Sequence, residues 1–128
     1  MQILRYLYVF LFSFILSIGA CYTPVSPDIF GVHISCHFNP GYDDHMWIFQ
    51  VWVDHPVQLQ DIREVDVYLY NAYGEMSHFP LRPDGTYLWN SIILEQNTTV
   101  TCGRWYDVDI IARDYYGYTD LMETYYQK

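Results

Sequence analysis

Basic residues are scarce in this chain, and their scarcity excludes more than any motif includes. Six lysines and arginines stand against fifteen aspartates and glutamates in 128 residues, a formal net charge of −9. A surface so acidic repels phosphate backbones, so no nucleic-acid partner is expected. The same balance argues against a basic patch for membrane surfaces. After the N-terminal twenty residues no stretch carries the period of an amphipathic helix. No serine stands in a strained nucleophile elbow, no glycine loop is built to cradle phosphate, and no cysteine lies in an activated pattern. The expectation is a protein that is not an enzyme and holds no cofactor.

Long apolar runs are also few, and the one present lies at the N-terminus. Arg5 supplies a positive charge, Leu7–Ile18 is almost wholly apolar, and the small pair Gly19-Ala20 marks a cleavage point. This is the pattern of an export signal over residues 1–20, and the run is too short to favour a permanent spanning helix. Cys21 follows directly, and Ile18-Gly19-Ala20-Cys21 resembles the lipobox of bacterial lipoproteins. That resemblance implies that Cys21 becomes the lipid-bearing N-terminus, with any membrane contact in the cell envelope running through the lipid. Tyr22 stands where similar enterobacterial lipoproteins carry an inner-membrane retention aspartate, which implies the outer membrane if the organism has one. Ordinary secretion with cleavage near Ala20 is the alternative. Residues 21–28, with Pro24, Ser26 and Pro27, form a tether of at most about 3.3–3.6 Å per residue.

Lipidation accounts for one of three cysteines. Cys36 and Cys102 are left, and an oxidising compartment favours their pairing over two separate buried thiols. Closing a loop of that length would stabilise the domain by roughly 4 kcal/mol in the chain-entropy model.

Residues 29–128 read as one all-β domain. Its clearest stretch runs from Gly103 to Gly117, where Tyr106, Val108, Ile110 and Ala112 share one face and Asp107, Asp109 and Arg113 the other. Asp114 to Gly117 turns the chain, and Tyr118–Tyr126 returns as the last strand. Earlier alternating segments are Phe30–Phe38, Met46–Asp54, Glu64–Tyr70, Met76–Leu81 and Thr86–Leu94, separated by turn residues such as Asn39-Pro40-Gly41 and Pro83-Asp84-Gly85. Val32, Ile34, Cys36 and Phe38 are expected inward on the first of these. Seven strands of this kind predict an antiparallel sandwich.

Two stretches carry a resemblance to bacterial immunoglobulin-like and fibronectin type III-like domains. They are Phe49-x-Val51-x-Val53-Asp54-x-Pro56 with Asp61-Ile62-x-x-Val65-x-Val67, and Tyr106-x-Val108-x-Ile110-x-Ala112-x-Asp114-x-x-Gly117. The resemblance implies a seven-stranded immunoglobulin-like sandwich, and says almost nothing of activity. Val108 stands where antibody domains have a cysteine, so the Cys36–Cys102 bridge is not their inter-sheet one. Strand parity puts the first and fifth connections at the same pole, where Cys36 and Cys102 could meet. The tether enters at the opposite pole. A distal partner surface of Tyr42, Asp43, Asp44, His45 and Tyr73 follows.

Other constellations point less sharply. His33 and His37 share a strand face but lie roughly 13 Å apart, too far for one ion. His45, His55 and His78 fall in different connections or edges and are expected to face solvent. Asp54, Asp61, Asp84, Asp114 and Asp120 gather near the tether pole as a weak calcium candidate, without a contiguous calcium loop. Asp107 and Asp109, about 7 Å apart, could serve as a carboxylate pair, although acids on an exposed strand face ordinarily keep a sheet soluble. Fourteen tyrosines are many for this length. Tyr115, Tyr116 and Tyr118 form a candidate glycan platform. Asn97-Thr98-Thr99 fits the N-glycosylation pattern. These features predict a lipid-anchored envelope protein acting as a structural or interaction module, the alternative being a carbohydrate-binding sandwich, lipidated or freely secreted.

Overall fold

The computed structural model describes residues 25–128, so the export signal, the lipobox and Cys21 lie outside the described residues. The eight strands are β1 (Asp28–Asn39), β2 (Asp44–Asp54), β3 (Ile62–Tyr70), β4 (Met76–Pro80), β5 (Arg82–Pro83), β6 (Leu88–Leu94), β7 (Tyr106–Asp114) and β8 (Thr119–Tyr126). They form two four-stranded sheets, in the orders β1-β2-β6-β5 and β4-β3-β7-β8. Every pairing is antiparallel. The all-β sandwich is as expected, with one strand more than the seven anticipated. The extra strand is β5, inside what reads in sequence as a turn. Leu81 still donates to the Val65 carbonyl at 2.9 Å, while the next residue, Arg82, pairs with Asn90 of the other sheet. The chain therefore changes sheets between adjacent residues, and Pro83 sits where a proline is tolerated, on an edge.

Period-2 alternation places the core. Trp47, Phe49, Val51 and Val53 of β2 face Val65, Val67 and Leu69 of β3 and Val108, Ile110 and Ala112 of β7, all buried. Phe38 departs from its expected place and is half exposed. It lies at the far end of β1 in a T-shaped contact with the His45 ring, centroids 5.6 Å apart. At the other end of β1 a register shift between Ile29 and Gly31 lets Ile29 turn inward, although it is out of phase with Val32.

The long connection from β6 to β7 crosses between sheets and has to be held over the core. The Trp47 indole N–H donates to the Val100 carbonyl at 3.3 Å, and Thr101 N–H donates to the Tyr106 hydroxyl at 2.8 Å. Cys36 and Cys102 form a disulfide with Cα atoms 5.8 Å apart, which ties the same connection to β1. Replacing Tyr106 by Phe keeps the ring in the core and orphans the Thr101 N–H. The expected cost is about 1–2 kcal/mol in urea unfolding. An unchanged midpoint would mean that water takes over the hydroxyl's role.

Candidate functional site

The inward parity of the strands runs to their terminal residues and one residue past them, and this places polar residues at both ends of the core. At the end where β1 begins, His55 continues the face of Val51 and Val53, and Asp114 continues that of Ile110 and Ala112. Both are buried, His55 with a side chain only 2% exposed. The expectation of a solvent-facing His55 is thereby corrected. His55 Nδ1 accepts from the backbone N–H groups of Val57 and Gln58 at 3.2 and 3.4 Å, so Nε2 carries the proton and donates to Asp114 Oδ2 at 3.3 Å. With Nδ1 an acceptor, the 3.9 Å approach of Asp61 Oδ2 to it is no ion pair. Asp61 is held instead by the Gln58 amide at 3.1 Å. Asp114 Oδ1 accepts from the N–H groups of Tyr116 and Tyr118, both at 2.9 Å, and so shapes the β7–β8 turn, where Gly117 takes φ 89°.

The five aspartates of the calcium candidate do not converge on one point. One oxygen on each of three of them is taken by the chain's own donors: Asp54 by His55 N–H, Asp84 by the Asn90 amide, and Asp120 by Ile29 N–H. Among the described residues, the groups of three with ligand atoms in common reach are Asp44, His45 and Glu95, and Cys36, Glu95 and Cys102. The candidate glycan residues Tyr115, Tyr116 and Tyr118 stand together on the turn that Asp114 organises, and all three are exposed.

The opposite pole carries the predicted partner surface. Asn39 closes the β1–β2 turn by accepting Gly41 N–H on its side chain and Tyr42 N–H on its carbonyl, and Asp43 takes φ 50°. Tyr42 is well exposed, and Tyr73, in the β3–β4 turn, is 88% exposed. The β6–β7 connection stitches these turns together. Gln96 N–H donates to Asp44 Oδ2 at 3.0 Å, and the Ser77 and Thr99 hydroxyls meet at 3.0 Å. Asn97, the sequon residue, is exposed on this connection.

Cross-strand register adds residues that spacing within one strand does not reveal. Asp107 and Asp109 line an open groove of about 610 Å³ together with Tyr70 and Glu123. Glu123 is directly opposite Asp109, and Tyr125 opposite Asp107. Trp105 stacks on Tyr125 with centroids 4.6 Å apart and donates its indole N–H to Asp107 at 3.3 Å. A larger groove, of about 770 Å³, separates β4 from β6. It opens because β5 pairs only with Trp89 and Asn90, leaving the distal half of β6 as a free edge. On the outer face of the other sheet His78 binds Asp66 at 2.7 Å and stacks on Tyr68. Burial, followed by the Asp66 carboxylate, pushes the Tyr68 phenol up, and burial does the same to Tyr126.

Burial alone would raise the Asp114 pKa, but the hydrogen bonds from the His55 ring and from Tyr118 and Tyr116 N–H outweigh it and hold the carboxyl below the usual carboxylate range. A depressed folded pKa contributes stability that is present above the unfolded value, about 3.9, and is lost as pH falls through the folded one. Asp114→Asn is therefore expected to cost roughly 1.5–3 kcal/mol at pH 7 and to flatten the decline in stability below about pH 4. Urea titrations at a series of pH values check this, and an acid limb of unchanged steepness would count against it.

No protein-family model matches this chain, and no curated protein or solved structure matches it, so its function has to be read from its own geometry.

Proposed function

We propose that this protein is an exported, lipid-anchored component of a bacterial cell envelope, and that its immunoglobulin-like sandwich docks another envelope component without performing chemistry. The observation that carries the proposal is the partition of the cysteines. Cys36 and Cys102 are bridged, which suits an oxidising compartment, and Cys21 is left single directly after an export signal. The strand orders support the immunoglobulin-like assignment, since they match an A-B-E-D sheet facing a C′-C-F-G sheet. Tyr106 supports it too: a tyrosine at the start of the penultimate strand whose hydroxyl bonds backbone five residues upstream is the corner found in such domains.

Pro27 is buried and Ile29 N–H is bound to Asp120 at 2.8 Å, so the chain leaves the tether already pinned to one end of the sandwich. In a lipid-anchored protein that end faces the membrane. The far end then projects Tyr42 and Tyr73, aromatic rings of the kind that anchor protein interfaces. A second reading, carbohydrate binding, is favoured by the exposed Tyr115, Tyr116 and Tyr118 on their shared turn.

Intact mass and detergent partitioning of the protein from its native host test the anchored reading. The expected product begins at Cys21 with a diacyl or triacyl increment, contains no free thiol, and loses the increment in Cys21→Ala. A water-soluble product without lipid would overturn it. Alanine replacement of Tyr42 and Tyr73 should abolish chemical crosslinks to the envelope partner, whereas glycan binding lost on replacing Tyr115 and Tyr116 would shift the reading to carbohydrate recognition.

A further inference from the structure

The two ends of the core are closed by similar residues in different states of completion. At the membrane-facing end the His55 ring is matched on both nitrogens, and Asp114 accepts three hydrogen bonds. At the far end the corresponding residues are His45 and Glu95. Met46 pairs with Leu94, so the next inward cross-strand position joins His45 to Glu95. His45 Nδ1 lies 3.7 Å from Glu95 Oε2, too long for a hydrogen bond. Glu95 Oε2 is inaccessible to solvent and has no hydrogen-bond partner, the one side-chain atom of that kind among the described residues. A buried carboxylate oxygen left unmatched in a neutral setting is costly, and the structure has a third donor at hand to complete a site around it.

That donor is Asp44, whose Oδ1 accepts His45 N–H at 2.8 Å and whose Oδ2 accepts Gln96 N–H at 3.0 Å, each oxygen keeping a second lone pair for an ion. One ligand atom from each of Asp44, His45 and Glu95 lies within 4.8 Å of the other two. Metal bonds of about 2.1 Å arranged tetrahedrally put ligand atoms about 3.4 Å apart, so the 3.7 Å between His45 and Glu95 needs almost no movement. The Gln96 N–H bond to Asp44 Oδ2 holds the two strand ends in register, and the Phe38 ring flanks the His45 imidazole. His45 remains 44% exposed and Glu95 26%, so the cluster borders solvent although the Oε2 atom itself is covered. One imidazole nitrogen with two carboxylates suits a borderline divalent cation better than calcium or magnesium, which prefer oxygen alone.

We propose that Asp44, His45 and Glu95 form a divalent transition-metal site, with zinc as the probe ion, at the far pole of the sandwich. The site stands independently of the lipid anchor and of any envelope partner. The test uses the full chain, untagged, in detergent, with its disulfide intact and any free thiol alkylated, after removal of metals with a chelator. Calorimetric titration with zinc is expected to saturate at one equivalent, and calcium is expected not to compete. His45→Ala and Glu95→Gln should each weaken zinc binding about tenfold or more, while a His33→Ala/His37→Ala variant binds as the parent does. Thermal unfolding in chelator confirms that each variant is folded, and zinc should raise the midpoint of the parent but not of His45→Ala. Absence of stoichiometric zinc binding by the folded parent, binding indifferent to both His45→Ala and Glu95→Gln, or preferential binding of calcium would each overturn the assignment.

Discussion

Trp47 makes the contact around which the two sheets close. Its ring lies parallel to Phe49 on the same strand and meets Tyr106 and Tyr126 of the facing sheet edge-on, the latter with centroids 4.9 Å apart. Its indole N–H also holds the Val100 carbonyl of the crossing connection. An indole can be fully buried at little polar cost only if that N–H finds an acceptor, so the position of the connection and the burial of Trp47 are one constraint. The disulfide and the Tyr106 hydroxyl fasten the same segment from either side. The far end of the molecule depends on this knot, because the β6–β7 connection in turn carries Glu95, Gln96 and Thr99 to the neighbouring turns.

A sandwich of two open sheets covers its middle well and its ends poorly. Strand ends still point alternate side chains inward, and whatever residue stands there must either be apolar or have its polar atoms matched. The end near the tether is sealed by His55 and Asp114, bonded to each other and to nearby backbone N–H groups, and by Asp61, held by the Gln58 side-chain amide, which makes it a structural lock for the β2–β3 and β7–β8 connections. The other end is left with an unmatched carboxylate oxygen beside an accessible imidazole. That asymmetry sets a fully matched end apart from one with an unmatched oxygen. The unmatched end is the one away from the start of β1.

The inward face of each long strand was legible in the sequence, because alternation in β2, β3 and β7 follows directly from the geometry of an extended chain in a sheet buried on one side. The cysteine pairing followed from counting and parity. His55 and Asp114 show where such reading stops too early. Both lie one step beyond an alternating run, at positions 55 and 114, in phase with Val53 and Ala112, and the turn chemistry of His55-Pro56 and Asp114 to Gly117 obscured that phase. Continuing the parity past the last apolar residue would have found them. Phe38 erred the other way, in phase with the core but half exposed at the end of its strand.

The sequence by itself determined seven of the eight strands, most of their inward faces, the disulfide partners and the acidic character of the surface, since each depends on local periodicity, composition or cysteine count. Which residues meet across strands was decided only by the tertiary structure. Glu123 opposite Asp109, Trp105 on Tyr125, the split between β4 and β5, and His45 beside Glu95 all depend on register and on the order of strands within each sheet. These are set by how the two buried faces fit together, and residues fifty positions apart, such as His45 and Glu95, have no local signal that announces their meeting.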